Sequence, residues 1–460
     1  MRQRNRPAPT HALAGIAAAL LFLTLCAAMV FIRISTAERS TALARLRAQA
    51  VPEPVPTSMA PFAGAAANNL ISTPSAPAVN HARHWQKLAA LAQKAEEDKP
   101  EQEFWLAFQE VPASEITEED WQQLDKYLGK HRELLDAIHI LARTGTHGYA
   151  IKFEDGLAME LAHLSRLRGF ARMLRGEARR AWHEGRDDDA LEHVLDIWPL
   201  GDCLKDEPIL VSQLVRISIH GIACSALTEI VAPGQLDPGQ SQQLLELLAT
   251  VEYRPSLHRA LLMEAETTVQ FFDEYSTGKW GSAFLDDLSI EKPDTWMDYI
   301  YSKPLGRPLM HRDQASYLQV MEQIASLVPL PFHEARPGLE AVESKIARAG
   351  FLQFLTPMFA AGMPRALRAP ARAEALCDIT MAGLLVEQYH NEHGVYPATL
   401  GDIPPHPSGG DWTDPFTGQP YHYDPSPTGI CLYSVGHNLH DDGGLPDHRE
   451  GDIVWRAPME

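Results

Sequence analysis

From Ala12 to Ile34 the chain reads ALAGIAAALLFLTLCAAMVFIRI, without a charge before Arg33. About 20 apolar residues at 1.5 Å rise are enough to cross a hydrocarbon core ~30 Å thick. Backbone in lipid must satisfy its own hydrogen bonds, so a run like this can only be a helix. Arg2, Arg4 and Arg6 precede it, as in the n-region of a secretory signal. The run is longer than the roughly 7–15 apolar residues of a cleaved signal, and no A-x-A site follows. Residues 1–11 therefore read as a tail and residues 12–34 as an uncleaved transmembrane anchor, with the lipid bilayer as partner. Arg33, Arg39, Arg45 and Arg47 on the far side balance the leading arginines, so counting positive charges leaves the orientation open.

Beyond the anchor, residues 51–80 lose charge and gain Pro52, Pro54, Pro56, Pro61, Pro74 and Pro77 among Ala, Ser and Thr. That composition gives a solvated, partly extended spacer. A chain of 460 residues exceeds one ordinary domain, so two or three folded units are expected. The formal net charge of -20 repels phosphate backbones and anionic headgroups. Nucleic acid is thereby excluded as a partner, and the hydrophobic segment is left as the attachment to the membrane. Cys26 lies inside that segment, while Cys203, Cys224, Cys377 and Cys431 show no C-x-x-C spacing. Bridges Cys203–Cys224 or Cys377–Cys431 and four separately buried thiols are both compatible with the sequence.

Residues 81–370 carry helical periodicity. Thr117 and Asp120 have the spacing of an N-cap with its N3 partner. Trp121, Leu124, Leu128, Leu135 and Ile138 follow on one face. Further helical stretches are predicted over 153–184, 189–198, 208–231, 238–251, 256–275 and 315–327. Around Gly185, ARMLRGEARRAWHEGRDDDALEHVL reads as a single helix pair, because no second copy recurs at a fixed period. Residues 275–309, with Gly278, Gly281, Pro293, Pro304 and Pro308, read as a long irregular loop.

Residues 371–460 change character. A helix with Leu376, Ile379, Val386 and Tyr389 on one face runs to His393, with Gly394 placed as its C′ residue and Pro397 forbidding continuation. Short runs at Tyr421–Tyr423, Ile430–Ser434 and Ile453–Trp455, separated by Asp414-Pro415, Gly418 and Pro420, predict a small antiparallel sheet. The fold class is thus mainly α, with a transmembrane helix, an α-helical domain and a small C-terminal α+β domain.

The ordered motifs ITMAGLLVEQYHNEHGVYPATLGDI, DPFTGQPYHY, LYSVGHNLHDDGG and GDIVW resemble the globular domain of the major pseudopilins of type II secretion. The resemblance implies a helix on a small sheet, a calcium loop, and an extracytoplasmic position for the C-terminal bulk. It implies the Val435 carbonyl, Asn438 and Asp452 as calcium ligands. Asp441 and Asp442 are natural additions, since Ca²⁺ takes six to eight hard oxygens. Asp447 and Glu450 lie in the same acidic stretch, and Gly443 and Gly444 can turn carbonyls inward. The anchor and the matching region stand at opposite ends of the chain, and no Gly-Phe-Thr-Leu-type processing site adjoins the anchor. The domain therefore reads as a borrowed module and not as a filament subunit.

No G-x-S-x-G elbow, P-loop or H-E-x-x-H motif occurs. His390, Glu392 and His393 at the end of a helix are more simply residues favoured by the helix dipole. His437 and His440 could recruit a softer metal such as zinc, a calcium loop with incidental histidines being the simpler reading, and His183, Glu184, Asp187, Asp188 and Asp189 read as a solvated turn with helix-start acids. The expectation is a single-pass inner-membrane, non-enzymatic envelope protein that presents a helical domain to envelope protein partners. Its alternative is a membrane-tethered hydrolase or binding protein with its cleft in that domain. Histidines or carboxylates converging in a pocket favour the alternative.

Overall fold

A computed structural model describes residues 33–49, 79–97, 99–111, 115–230, 236, 238–276, 306–350, 353, 355–427, 429–445 and 451–456. Nearly all of the expected anchor, the spacer up to residue 78, Cys26, most of the 275–309 loop, Asp447 and Glu450 lie outside the described residues. What is described is mainly helical, with one small antiparallel sheet near the C-terminus. It divides into two compact units. One takes the described parts of residues 1–49, 265–323 and 342–361, the other those of 50–264, 324–341 and 362–460.

In the first unit residues 33–48 form helix α1. Ala42 and Leu46 are buried, while Arg47 on the same helix reaches Glu266 at 2.6 Å and Arg39 pairs with Asp273. Two of the arginines beyond the hydrophobic run are therefore committed to folded structure. The unit's core is aromatic, with Phe272 5.9 Å from Tyr317 and 5.2 Å from Phe359.

The second unit begins with α2 (Val79–Glu96), α3 (Lys99–Glu110), α4 (Glu118–Lys130) and α5 (Arg132–Thr144). Thr117 and Asp120 form the capping box that their spacing predicts. The stripe from Trp121 to Ile138 is buried, although Lys130 and His131 divide it between two helices. Then come α6 (Ala162–His183), α7 (Asp187–Leu195), α8 (Ile197–Asp202), α9 (Leu210–Ile230) and α10 (Pro238–Ala249). The predicted hairpin is the α6–α7 pair, turning at Gly185 with φ +72°. Helices α11 (Arg254–Ser276), α12 (Arg307–Leu327) and α13 (Phe332–Ala347) each give residues to both units. The sequence reading lists no helix over α13, which runs through Pro337. Short helices α14 (Leu355–Ala360) and α15 (Met363–Ala366) lead to the long α16 (Arg368–His393).

Helix α9 is long and apolar enough to cross a membrane by length and composition, yet 67% of its apolar window is buried among its neighbours. It packs on α6, α8 and α16, which marks it as a core helix of this unit.

Helix α16 also carries the sheet. Strands β1 (His422–Ser426), β2 (Gly429–Ser434) and β3 (Ile453–Arg456) pair antiparallel in the order β1-β2-β3, with Leu432 opposite Trp455. Gly383 of α16 lets the Trp455 ring lie directly on the helix backbone. The same helix thus buries one face under the sheet and another against α9, which is why Ala375, Ile379, Ala382 and Val386 are all inaccessible.

Candidate functional site

The most chemically loaded place in the second unit is a cavity of about 490 Å³ walled by α5, α6 and α7. Arg132, Asp136 and Arg143 of α5, Arg180 of α6, and Arg186, Asp189 and Glu192 at and after the hairpin turn line it, and His139, Glu177 and His193 form its inner wall. Each of these three comes from a different helix. His139 follows Ile138 on α5, and Glu177 occupies the buried face of α6 three residues after Leu174. His193 stands one residue before buried Val194 on α7.

His139 is held at both ring nitrogens. Nδ1 lies 2.7 Å from Asp196 Oδ2 and Nε2 lies 2.9 Å from Glu177 Oε2. Burial alone would depress its pKa, but the two carboxylate hydrogen bonds and their charges outweigh it and raise the value to about 9. A value raised that far makes His139 an imidazolium donating to two acids at neutral pH. His193, with its ring centroid 5.2 Å away, behaves oppositely. Burial pushes its pKa down, the neighbouring His139 pushes the same way, and Glu177 only partly opposes them. Its Nδ1 is buried without a hydrogen-bond partner. One donor atom from each of His139, Glu177 and His193 lies within 4.8 Å of the others.

A second such group, His147, His163 and Glu207, lies deeper in the same unit. His147 Nε2 is 2.8 Å from Glu207 Oε1, and His163 Nε2 is 3.0 Å from the same oxygen. Burial would raise the Glu207 pKa, but the two imidazoles hold it at about 2. The backbone N–H of Tyr149 donates to His147 Nδ1 at 2.9 Å, so the ring proton of neutral His147 sits on Nε2 and points at Glu207. A cation on Nε2 would have to displace that proton while Nδ1 still accepts a bond, leaving an imidazolate. The three side chains hold one another by hydrogen bonds, while His163 Nδ1 is buried without a partner.

The acidic terminal loop is arranged differently from either. Gly436, Gly443 and Gly444 take positive φ, and so does Leu439 at +57°. Asp452 is buried, accepts the Gly444 N–H at 2.7 Å through Oδ2, and leaves Oδ1 buried without a partner. Burial raises the Asp452 pKa, the backbone N–H groups of Gly444 and Asp442 oppose it, and the Asp442 and Asp441 charges add to the rise. Asp441 Oδ1 accepts from Gly443 N and Tyr433 OH, Asn438 Oδ1 caps His440 N, and Asp442 meets His440 at 2.8 Å. Val435 is buried at the start of the loop. Among the described residues these loop acids are not one of the groups whose donor atoms converge within 4.8 Å, and Asn438, Asp441 and Asp442 each hold partners inside the domain.

Other sequence candidates resolve into structure. His390 stacks on Tyr396 and His393 on Tyr389, with His393 bonded to the Tyr389 carbonyl, so the two sit on separate aromatic partners. His183 stacks on Trp121 at 4.2 Å, and of its acidic neighbours Asp189 reaches the cavity. The four described cysteines are unbridged, and Cys224 meets Cys377 at 3.8 Å, a contact that neither considered pairing anticipates.

No protein family, curated protein or solved structure matches the chain.

Proposed function

We propose that the chain is a membrane-tethered envelope protein whose helical domain binds a ligand in the cavity between α5, α6 and α7. The observation that carries this reading is the convergence of His139, Glu177 and His193 on a cavity of about 490 Å³. Two histidines and an acid from three helices, one ring nitrogen left without a partner, are a costly arrangement unless something is bound there. The anchor over residues 12–34 and the spacer belong to the same proposal, with the folded bulk outside the inner membrane as the pseudopilin resemblance implies. Native mass spectrometry of the full chain, extracted from membranes in mild detergent, tests it. The expected result is a non-covalent adduct on the wild-type protein that disappears in Glu177→Gln and His193→Ala. A wild-type protein recovered bare, or one whose adduct persists in both variants, overturns the reading.

A second reading keeps the helical domain as a non-enzymatic contact surface for envelope proteins, beside a pseudopilin-like module stiffened by Ca²⁺. The orphaned Asp452 Oδ1 favours its calcium component. Val435, Asn438, Asp441, Asp442 and Asp452 would hold the ion and lock the β2–β3 connection. Calorimetric titration of the full chain with CaCl2 should give a heat of binding and a higher melting temperature, both lost in Asp452→Asn. No heat and no shift in the wild type would end this reading.

A further inference from the structure

We propose that His139, Glu177 and His193 form a three-ligand site for a divalent transition-metal cation of the zinc class, open on its fourth side to the cavity. The assignment rests on the cavity being the chain's ligand site and names what occupies its inner wall.

Two imidazoles and one carboxylate are the donor set of a three-coordinate zinc centre that retains an open position. Neutral nitrogen donors suit zinc and its neighbours better than calcium or magnesium, which prefer all-oxygen shells. The surroundings match as well. Asp196 lies 2.7 Å behind His139 Nδ1, so that nitrogen keeps its proton and orients the ring. A carboxylate placed there is the usual outer partner of a metal-bound histidine. Arg132 Nη1 lies 3.5 Å from Glu177 Oε1, which leaves Oε2 on the histidine side.

The distances are within reach of a bound state. The 2.9 Å between His139 Nε2 and Glu177 Oε2 subtends about 90° at a cation ~2.0–2.1 Å from each. Separating the two atoms by a few tenths of an ångström brings that angle towards tetrahedral. The cation takes the place of the proton between them, and His193 supplies a ring nitrogen as the third donor, within 4.8 Å of the other two.

The rim does not repel such an ion. Arg132 pairs with Asp136 at 3.0 Å, Arg143 with Glu192 at 3.1 Å, Arg180 with Asp125 at 2.5 Å, and Arg186 with Glu184 and Asp189. Each rim guanidinium thus has its own carboxylate. The deeper His147–His163–Glu207 group differs in that the Tyr149 N–H occupies His147 Nδ1.

The test uses the full chain in mild detergent, carrying a tag without histidine, stripped with chelator and titrated with Co²⁺ and Zn²⁺. The wild type should take up one equivalent, with the intense visible bands of low-coordinate Co²⁺ that Zn²⁺ then quenches. His193→Ala and Glu177→Gln should weaken uptake by at least about 100-fold, and Asp196→Asn by about 10–100-fold. Asp452→Asn should leave the bands unchanged, which separates this site from the terminal loop. Circular dichroism shows whether each variant folds. If one does not, X-ray absorption of the wild-type cobalt form decides, a nitrogen and oxygen shell with two imidazoles being required. Absence of cobalt bands in the wild type, or bands indifferent to both ligand variants, overturns the proposal. A wild type that takes no cation yet carries another adduct in native mass spectrometry defeats the metal assignment alone.

Discussion

Replacing Glu207 by alanine should lower the stability of the helical unit by about 2–4 kcal/mol, roughly 5–10 °C in melting temperature. The cost arises because the carboxylate serves both His147 and His163, and His163 is fully inaccessible. Without Glu207 two imidazole N–H groups lose their acceptor where water cannot replace it. Glu207→Gln keeps one acceptor oxygen and should cost less. The pH dependence has a definite sign. A carboxylate held at about 2 in the fold, against 4.5 ordinarily, contributes stability that is fully present above 4.5. That contribution is lost as pH falls from there through about 2. Thermal melts of wild type and Glu207→Gln across this range should converge at the acid end. A constant gap, or a loss for alanine well under 1 kcal/mol, would contradict the account.

The second large effect comes from a methyl group. A Cβ on Gly383 would fall 2.5, 2.6 and 2.7 Å from Cε2, Cδ2 and Nε1 of Trp455. Trp455 is 2% exposed and sits in the last strand, so its ring has nowhere to retreat. Alanine is the better helix former by about 1 kcal/mol, yet Gly383→Ala should destabilise by about 2–3 kcal/mol. Gly169→Ala in α6, where nothing lies within 4 Å, should stabilise by about 0.5–1 kcal/mol. Opposite signs for the same change in two helices, read by chemical denaturation, isolate packing from propensity. Equal signs would remove the ring contact as the cause. Combining Gly383→Ala with Trp455→Leu should recover part of the loss, since the clash and its target vanish together.

The periodicities that the sequence displays are those of faces, and the faces are where the structure agrees with it. The Thr117–Asp120 cap, the Trp121–Ile138 stripe, the Gly185 hairpin and the Gly394 terminus of α16 all follow from local spacing. The three terminal strands follow from turn residues in the same way. The helix over Phe332–Ala347 is absent from the predicted stretches, and it continues through Pro337 although that residue cannot donate to the His333 carbonyl. The cavity was hidden as well. His139, Glu177 and His193 are distant in sequence and meet only when α5, α6 and α7 pack, so no motif spacing could carry them. One signal was present. Glu177 falls on the stripe of Phe170, Leu174 and Ala181, and a carboxylate on an apolar stripe has to be there for a partner.

The burial of α9 beneath α16 has a consequence for biosynthesis. A ribosome finishes Leu210–Ile230 long before it reaches Arg368–His393, so the most lipid-compatible described helix emerges without its cover. Until then its apolar side chains lack the neighbours that bury them in the finished fold. Arg216 within it is bonded to Asp202 Oδ1 at 3.0 Å in the finished fold, a partner that precedes it in the chain. The packing of this unit is therefore completed only when roughly the last fifth of the chain has been made.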